Sequence, residues 1–481
     1  MMFFKDIQFG QASAELESSY YPELLVDGFL DPWDLIDKAI KSPKFLFLGY
    51  KGSGKSAFGE HLRLKSESSH ELFVTHTFLS DFPYANFSKI VTGDAEPESR
   101  FPSAWSWILT LYLLDSLSTD SGAKSSNDND FITSLNALKS VGLLPADSIK
   151  QTVIASSKPK FKAKLPPLLQ IDLDMNNKKI TDLQFLHIIE HLKKLVFRFR
   201  SKSHHLIVID GLDDILLHKD VQFQSLAALI LEVSRLNAQL HKNKVKAKII
   251  VLCRTELYER LPGPNKNKTR QDLSVELDWY HNPSKPYSSK LLHLVNLRAQ
   301  LSDPSIQDVF LKFFPRRLHD GPLLTFLLHH TRHTPRDFIQ LLVHIQECCS
   351  RKKIEDSNIL AGIRQYSSKY FLPEIKDELV GYMRIEETEA ILKCLSSIKK
   401  PVFTIQEVSK HMDSSFDFKG KSIIQILDTL FQCSAIGNVK QNGEGRSFFS
   451  FKYRNRHSNF KPEEDIFIHR GLWKGMNLTW T

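Results

Sequence analysis

From Phe45 to Leu48 an apolar run leads straight into Gly49-Tyr50-Lys51-Gly52-Ser53-Gly54-Lys55-Ser56. The pattern G-x-x-x-x-G-K-[ST] is filled by Gly49, Gly54, Lys55 and Ser56, and Gly52 adds a further flexible position. Such a loop curls backbone N–H groups around a polyphosphate and aims a helix N-terminus at it. The lysine reaches the β- and γ-phosphates, and the hydroxyl ligates Mg²⁺. Gly49, Gly52, Ser53, Gly54, Lys55, Ser56 and Ala57 therefore form the candidate phosphate-binding set, with Ser56 also a candidate metal ligand. The motif needs a strand before it and a helix after it. Residues 44–48 read as the strand and 57–64 as the helix.

A second constellation lies far downstream. Residues 206–209 are continuously apolar and β-branched, as in a parallel strand buried on both faces, and the run ends in Asp210. A carboxylate at the C-terminal edge of such a strand sits where α/β sheets bind ligands, and it suits Mg²⁺, usually through water. Asp213 and Asp214 follow closely enough to polarise an attacking water as general base. A third strand, 247–254, ends in Arg254. Residues 334–342 open a helix with Pro335 at its start and Arg336 in its first turn. Both arginines suit phosphates, surface positions or salt bridges alike.

Composition bounds what else the chain can be. Its 481 residues suffice for two to four domains, and 42% hydrophobic with 25% charged residues is ordinary for a globular protein. The net charge of +9 is spread along the chain, so it permits a nucleic-acid partner without demanding one. The five cysteines show no C-x-x-C spacing and read as reduced core thiols of a cytoplasmic protein. No segment is long and apolar enough to span a membrane, and the N-terminus lacks the pattern of a signal peptide.

With both motifs in place, the chain resembles the AAA+/STAND class of P-loop ATPases. The segment Asp210-Gly211-Leu212-Asp213-Asp214 is similar to the D-G-L-D-[DE] Walker B of NACHT-type proteins. The resemblance spans residues 45–342. It implies ATP and Mg²⁺ as ligands, with Lys55 and Ser56 on phosphate and metal and Asp210 holding the metal. It also implies Asp213 or Asp214 supporting hydrolysis, Arg254 as sensor 1 and Arg336 as sensor 2. Gly211 stands where the usual AAA+ proteins place their catalytic Glu, so slow hydrolysis in a switch is expected. Residues 252–260 and 265–279 resemble a loosely characterised group of bacterial ATPases from defence or mobile-element contexts. GTP is disfavoured, because 265–268 lacks the Asp of N-K-x-D.

The fold class implied is α/β: a P-loop NTPase parallel sheet with a helical lid and a C-terminal winged-helix domain. The expected division is an N-terminal segment 1–44 over the nucleotide site, an ATPase core 45–287, a lid 288–383, a winged helix 384–455 and a tail 456–481. Within the core, a helix over 102–117 should bury Trp105, Trp107, Leu111 and Leu114. Residues 119–130 and 158–164 read as solvated stretches. His329 and His333 read as a lid-surface pair rather than a metal pair. In the winged helix, Thr404 and Glu407 form a capping box and Asn442-Gly443 a hairpin turn. Lys419, Lys421, Lys440, Arg446, Lys452, Arg454 and Arg456 form a strip able to contact duplex DNA, or the domain packs on the ATPase instead. Three functions fit: an oligomerising ATP-driven switch, a DNA-associated ATPase, or a non-hydrolysing nucleotide-bound scaffold in a multi-protein complex. Arg270 is a candidate trans-acting arginine.

Overall fold

The computed structural model describes residues 2–80, 82–91, 97–123, 128–158, 164–165, 168–169, 182–212, 220–263, 266–282, 284–318, 321–349, 353–412, 418, 420–441, 443 and 447–478. Asp213, Asp214, Lys419, Asn442, Arg446 and most of 158–164 lie outside them. The chain forms two compact units. One holds Asp31–Gly49 and Lys55–Leu277. The other holds Met1–Leu30, Tyr50–Gly54 and Asp278–Thr481.

The first unit is built on a five-stranded parallel sheet of β1 (Leu46–Gly49), β2 (Leu72–Phe78), β3 (His204–Asp210), β4 (Ala247–Arg254) and β5 (Ser274–Glu276). The spatial order is β2-β3-β4-β1-β5. β4 thus lies between the strand entering the glycine-rich loop and the strand ending in Asp210. Leu46, Phe47 and Leu48, and likewise Val208 and Ile209, are fully buried. Strands covered on both faces need this uninterrupted apolar run rather than alternation. Helix Pro97–Ser118 packs Trp105 and Trp107 into the core. Their indole N–H groups donate to Ser225 O at 2.8 Å and to Ser156 Oγ at 2.9 Å, so neither ring buries an unpaired polar atom. The unit is an α/β fold, a parallel sheet with helices, in which the glycine-rich loop follows β1 as in P-loop folds.

The second unit begins with residues 1–30, part of the 1–44 segment expected over the nucleotide site. Here they are tied to the helical region of their own unit. Phe4 packs edge-on against Phe314 at 4.9 Å, and Gln346 Nε2 donates to Phe4 O and Ile7 O. The buried Arg298 of helix Lys290–Ser302 pairs with Glu17 at 2.6 Å and also donates to Phe9 O. The helices of this region are interrupted by a small hairpin, β6 (Arg317–Leu318) and β7 (Gly321–Pro322).

The C-terminal part has helices Ile385–Ile398, Ile405–His411 and Ile423–Gln432 with strands β8 (Val402–Phe403), β9 (Ile436–Gln441), β10 (Ser447–Ser450) and β11 (Asp465–Ile468). The expected order of three helices and a hairpin is present. The capping box is also present: Glu407 N donates to Thr404 Oγ1 at 3.3 Å and Thr404 N to Glu407 Oε2 at 3.0 Å. The boundary at 455 needs correction. The sheet order is β10-β9-β11-β8, so β11, from the supposed tail, is a central strand antiparallel to both neighbours. Beyond it Leu472 and Trp473 are buried, which a solvated tail would not be.

Candidate functional site

In the first unit, the helix after the loop, Lys55–Glu67, presents Lys55 in its first turn with its Nζ donating to Gly49 O at 3.0 Å. Asp210 ends β3, in register with Phe78 of β2, and is 3% exposed. Its Oδ1 accepts from Gly211 N at 2.7 Å. Its Oδ2 is buried and makes no hydrogen bond among the described residues. Burial opposes ionisation of this carboxyl, but His76, the Ser56 hydroxyl and the Gly211 amide together hold it below the usual carboxylate range. An ionised, partly unsatisfied carboxylate bonded to the Ser56 hydroxyl suits a hydrated Mg²⁺, with Ser56 and Asp210 as the residues that would hold it.

His76 is the residue the sequence reading missed. Its ring lies between two buried carboxylates, Nδ1 at 2.9 Å from Glu60 Oε1 and Nε2 at 3.6 Å from Asp210 Oδ2. Burial alone would lower its pKa, yet Asp210 and Glu60 outweigh burial and push it up to about 9. His76 is therefore imidazolium at neutral pH. Arg63, at 2.8 Å, braces Glu60 from the other side. One sequence signal pointed here: Gly59, a helix-weakening residue inside the loop's own helix. A Cβ there would stand 2.6 Å from His76 Nε2.

Gly211, the departure from the usual catalytic Glu, adopts φ +72°, where only glycine is unstrained. A Cβ would meet Ser80 Oγ at 3.1 Å and Leu79 N at 3.3 Å. A glutamate at this position would be strained in the backbone and crowded against Ser80. Arg254 ends β4 in register with Gly49, as expected. Arg270 is engaged by Glu276 at 2.7 Å and Glu259 at 3.2 Å, which ties it down within its own unit and argues against a trans-acting role.

In the second unit, Gly52 and Gly54 have φ +80° and +92°, so the turn requires glycine at both. The turn is clasped by the helix Pro335–Glu347. Arg336 N donates to Gly52 O at 3.3 Å, and the Trp279 indole donates to Ser53 O at 2.8 Å. Glu374 takes Lys51 at 3.0 Å and Arg336 Nη1 at 3.4 Å, so the guanidinium and the loop lysine share one carboxylate. Thr334 caps this helix through Asp337 N.

The C-terminal sheet packs on the same region. Tyr50 Oη donates to Lys452 O at 3.3 Å, and the His333 ring stacks on Tyr453 at 5.7 Å. His333 is 1% exposed and His329 half-buried, which corrects the expectation of a surface pair. Burial, with nearby arginines adding to it, holds both near a pKa of 3, and neutral buried rings are packing groups. The basic strip is also thinner than its sequence suggested. Lys452 is buried with its Nζ on Ser458 O, and Lys421 pairs with Glu387 at 3.0 Å. All five cysteines are free, and four are buried. Among the described residues no helix is long and apolar enough to cross a membrane.

Residues 289–372 match a family described as the FunZ-associated C-terminal helical domain. No curated protein matches the chain. An Orc1 protein from Aeropyrum pernix, solved in complex with DNA, is similar at TM-score 0.39 and 12% identity, covering 96% of each chain. Drosophila ORC bound to DNA is similar at TM-score 0.28 and 13% identity, covering 92% of this chain and 94% of that one. At these scores the likeness adds nothing to what strand order and loop geometry establish.

Proposed function

We propose that this chain is an ATP-binding, slowly hydrolysing switch of the AAA+/STAND type, whose nucleotide state governs oligomerisation or engagement of a partner or DNA. The observation that carries the reading is the juxtaposition of Lys55, Ser56 and an ionised, buried Asp210 on the edge of a sheet whose β4 separates β1 from β3. In that arrangement the loop amides and Lys55 bind the phosphates, and Ser56 and Asp210 hold Mg²⁺, which would supply charge neutralisation at the phosphates. Asp213 or Asp214 orients the attacking water, Arg254 and Arg336 sense the nucleotide, and Gly211 in place of a glutamate keeps turnover slow. A cytoplasmic location and a role in defence accompany this reading.

The second reading is a DNA-engaging ATPase. It is favoured by the helix–strand–helix–helix–hairpin order of a winged helix and by Arg454 at the hairpin's base.

The test is ATP binding and hydrolysis by the full chain, with and without duplex DNA, beside Lys55→Ala and Asp213→Ala/Asp214→Ala. Lys55→Ala should weaken ATP binding on the order of 100-fold, because charge-assisted bonds to phosphate are lost. Unaltered ATP binding in that variant would overturn the proposal. Turnover stimulated by duplex DNA selects the second reading.

A further inference from the structure

The C-terminal sheet carries a cleft that the nucleotide chemistry does not use. Arg454, Arg470, Phe449, Phe451, Tyr453 and His329 line it, and it is an open cleft with a cavity volume of about 20 Å³. Arg454 lies over the Phe451 and Tyr453 rings at 5.3 and 5.6 Å and donates through Nε to Tyr453 Oη. Arg470 lies over Trp473 at 5.6 Å.

Among the described residues no carboxylate lines the cleft, and neither guanidinium makes an ion pair. Two arginines buried more deeply elsewhere are matched. Arg298 has Glu17, and Arg332 has Asp337 at 2.9 Å and Glu378 at 2.7 Å. Among the described residues no counter-charge stands in this cleft. Its positive field is visible in its neighbours. Burial and then Arg454 hold Arg470 below the ordinary arginine range, and burial with both guanidiniums keeps His329 neutral.

Both guanidiniums are half-buried, and an oxyanion entering the cleft would pair with charge that no described carboxylate answers. Guanidinium forks match carboxylate and phosphate alike. Two forks facing one small cleft offer more donors than one carboxylate has lone-pair sites, whereas a phosphate has oxygens for both. The aromatic walls also suit a planar group beside that phosphate.

We propose that this cleft is an oxyanion site for a phosphate group, carried by a nucleic-acid strand or by a soluble phosphate ester. None of the glycine-rich loop's residues lines this cleft, so it is tested with that loop silenced. In a Lys55→Ala background, the binding of a fluorescein-labelled single-stranded oligodeoxynucleotide is measured by anisotropy over a salt series. Inorganic phosphate is tested by thermal melting. Arg454→Gln and Arg470→Gln should each weaken oligonucleotide binding roughly ten-fold or more. Each should also lower the salt slope by about one. Arg470→Lys should retain part of the binding. If the oligonucleotide does not bind but phosphate raises the melting temperature only while both arginines are present, the source is a soluble ester. Circular dichroism establishes that each variant is folded. Unchanged binding in folded arginine variants, no binding of either probe, or capture of a glutamate-rich peptide alone would overturn the proposal.

Discussion

Two clusters of buried charge in this chain are balanced in opposite ways. Beside Asp210, His76 is held between two carboxylates and answers both, with Arg63 bracing Glu60 beyond. In the C-terminal cleft, Arg454 and Arg470 line one opening with rings around them and no described carboxylate. The first cluster is a finished electrostatic structure, so disturbing it should cost stability. The second is unfinished, so its consequence should appear in binding. Removing one partner of a buried pair leaves an uncompensated charge, whereas removing one of two repelling charges does not.

The largest expected effect comes from breaking the balanced cluster. His76→Ala leaves Glu60 and Asp210 facing each other, and should cost about 3–5 kcal/mol in chemical denaturation. The pH profile sharpens this. The folded pKa of His76, about 9, lies above its ordinary 6.5, so its contribution is complete below pH 6.5 and is lost as pH rises through 9. That difference corresponds to about 3 kcal/mol. Measured in EDTA without nucleotide, stability of the native chain should fall between pH 6.5 and 9, and His76→Ala should flatten that fall. A profile with the same slope in both proteins would show that His76 does not carry the charge.

A smaller effect is expected next door. Gly211→Glu places a carboxylate where the usual AAA+ proteins have their catalytic residue, but at φ +72° and against Ser80. It should destabilise by about 1–3 kcal/mol and give no gain in ATP turnover. Faster hydrolysis in a fully stable Gly211→Glu chain would mean that the backbone here yields readily, and that the glycine is not the brake.

The two clusters also differ in how far the sequence announces them. Glycine-rich loop, Asp210 and β4 are contiguous signals: backbone conformation demands Gly52 and Gly54, and full burial demands unbroken apolar strands. Fold class and the candidate phosphate-binding residues follow from such local rules. His76, Glu60, Arg454 and Arg470 sit in separate stretches that only tertiary packing unites, and no spacing rule links residue 60 to 76 and 210. Gly59 was the one local trace, legible as a helix-weakening residue without a local purpose. β11 was missed for a related reason. A four-residue strand after Pro462, Glu463 and Glu464 looks like a tail until its pairing with β8 and β9 is seen.

Thr404 tests the contrast at its smallest scale. It lies in the C-terminal region, its hydroxyl caps helix Ile405–His411, and Glu407 closes the box from the other side. Thr404→Ala removes one hydrogen bond at a helix end that water can reach, and touches neither charge cluster. It should cost about 1 kcal/mol. It should also leave the pH slope set by His76 and the phosphate affinity of the Arg454 cleft as they were. Denaturation and anisotropy on this one variant separate the two kinds of effect. A loss of stability with intact binding means the cleft owes its affinity to its two guanidiniums. Parallel loss of both would mean that the cleft's geometry depends on this cap, and that the arginine variants must be read against a helix that has shifted.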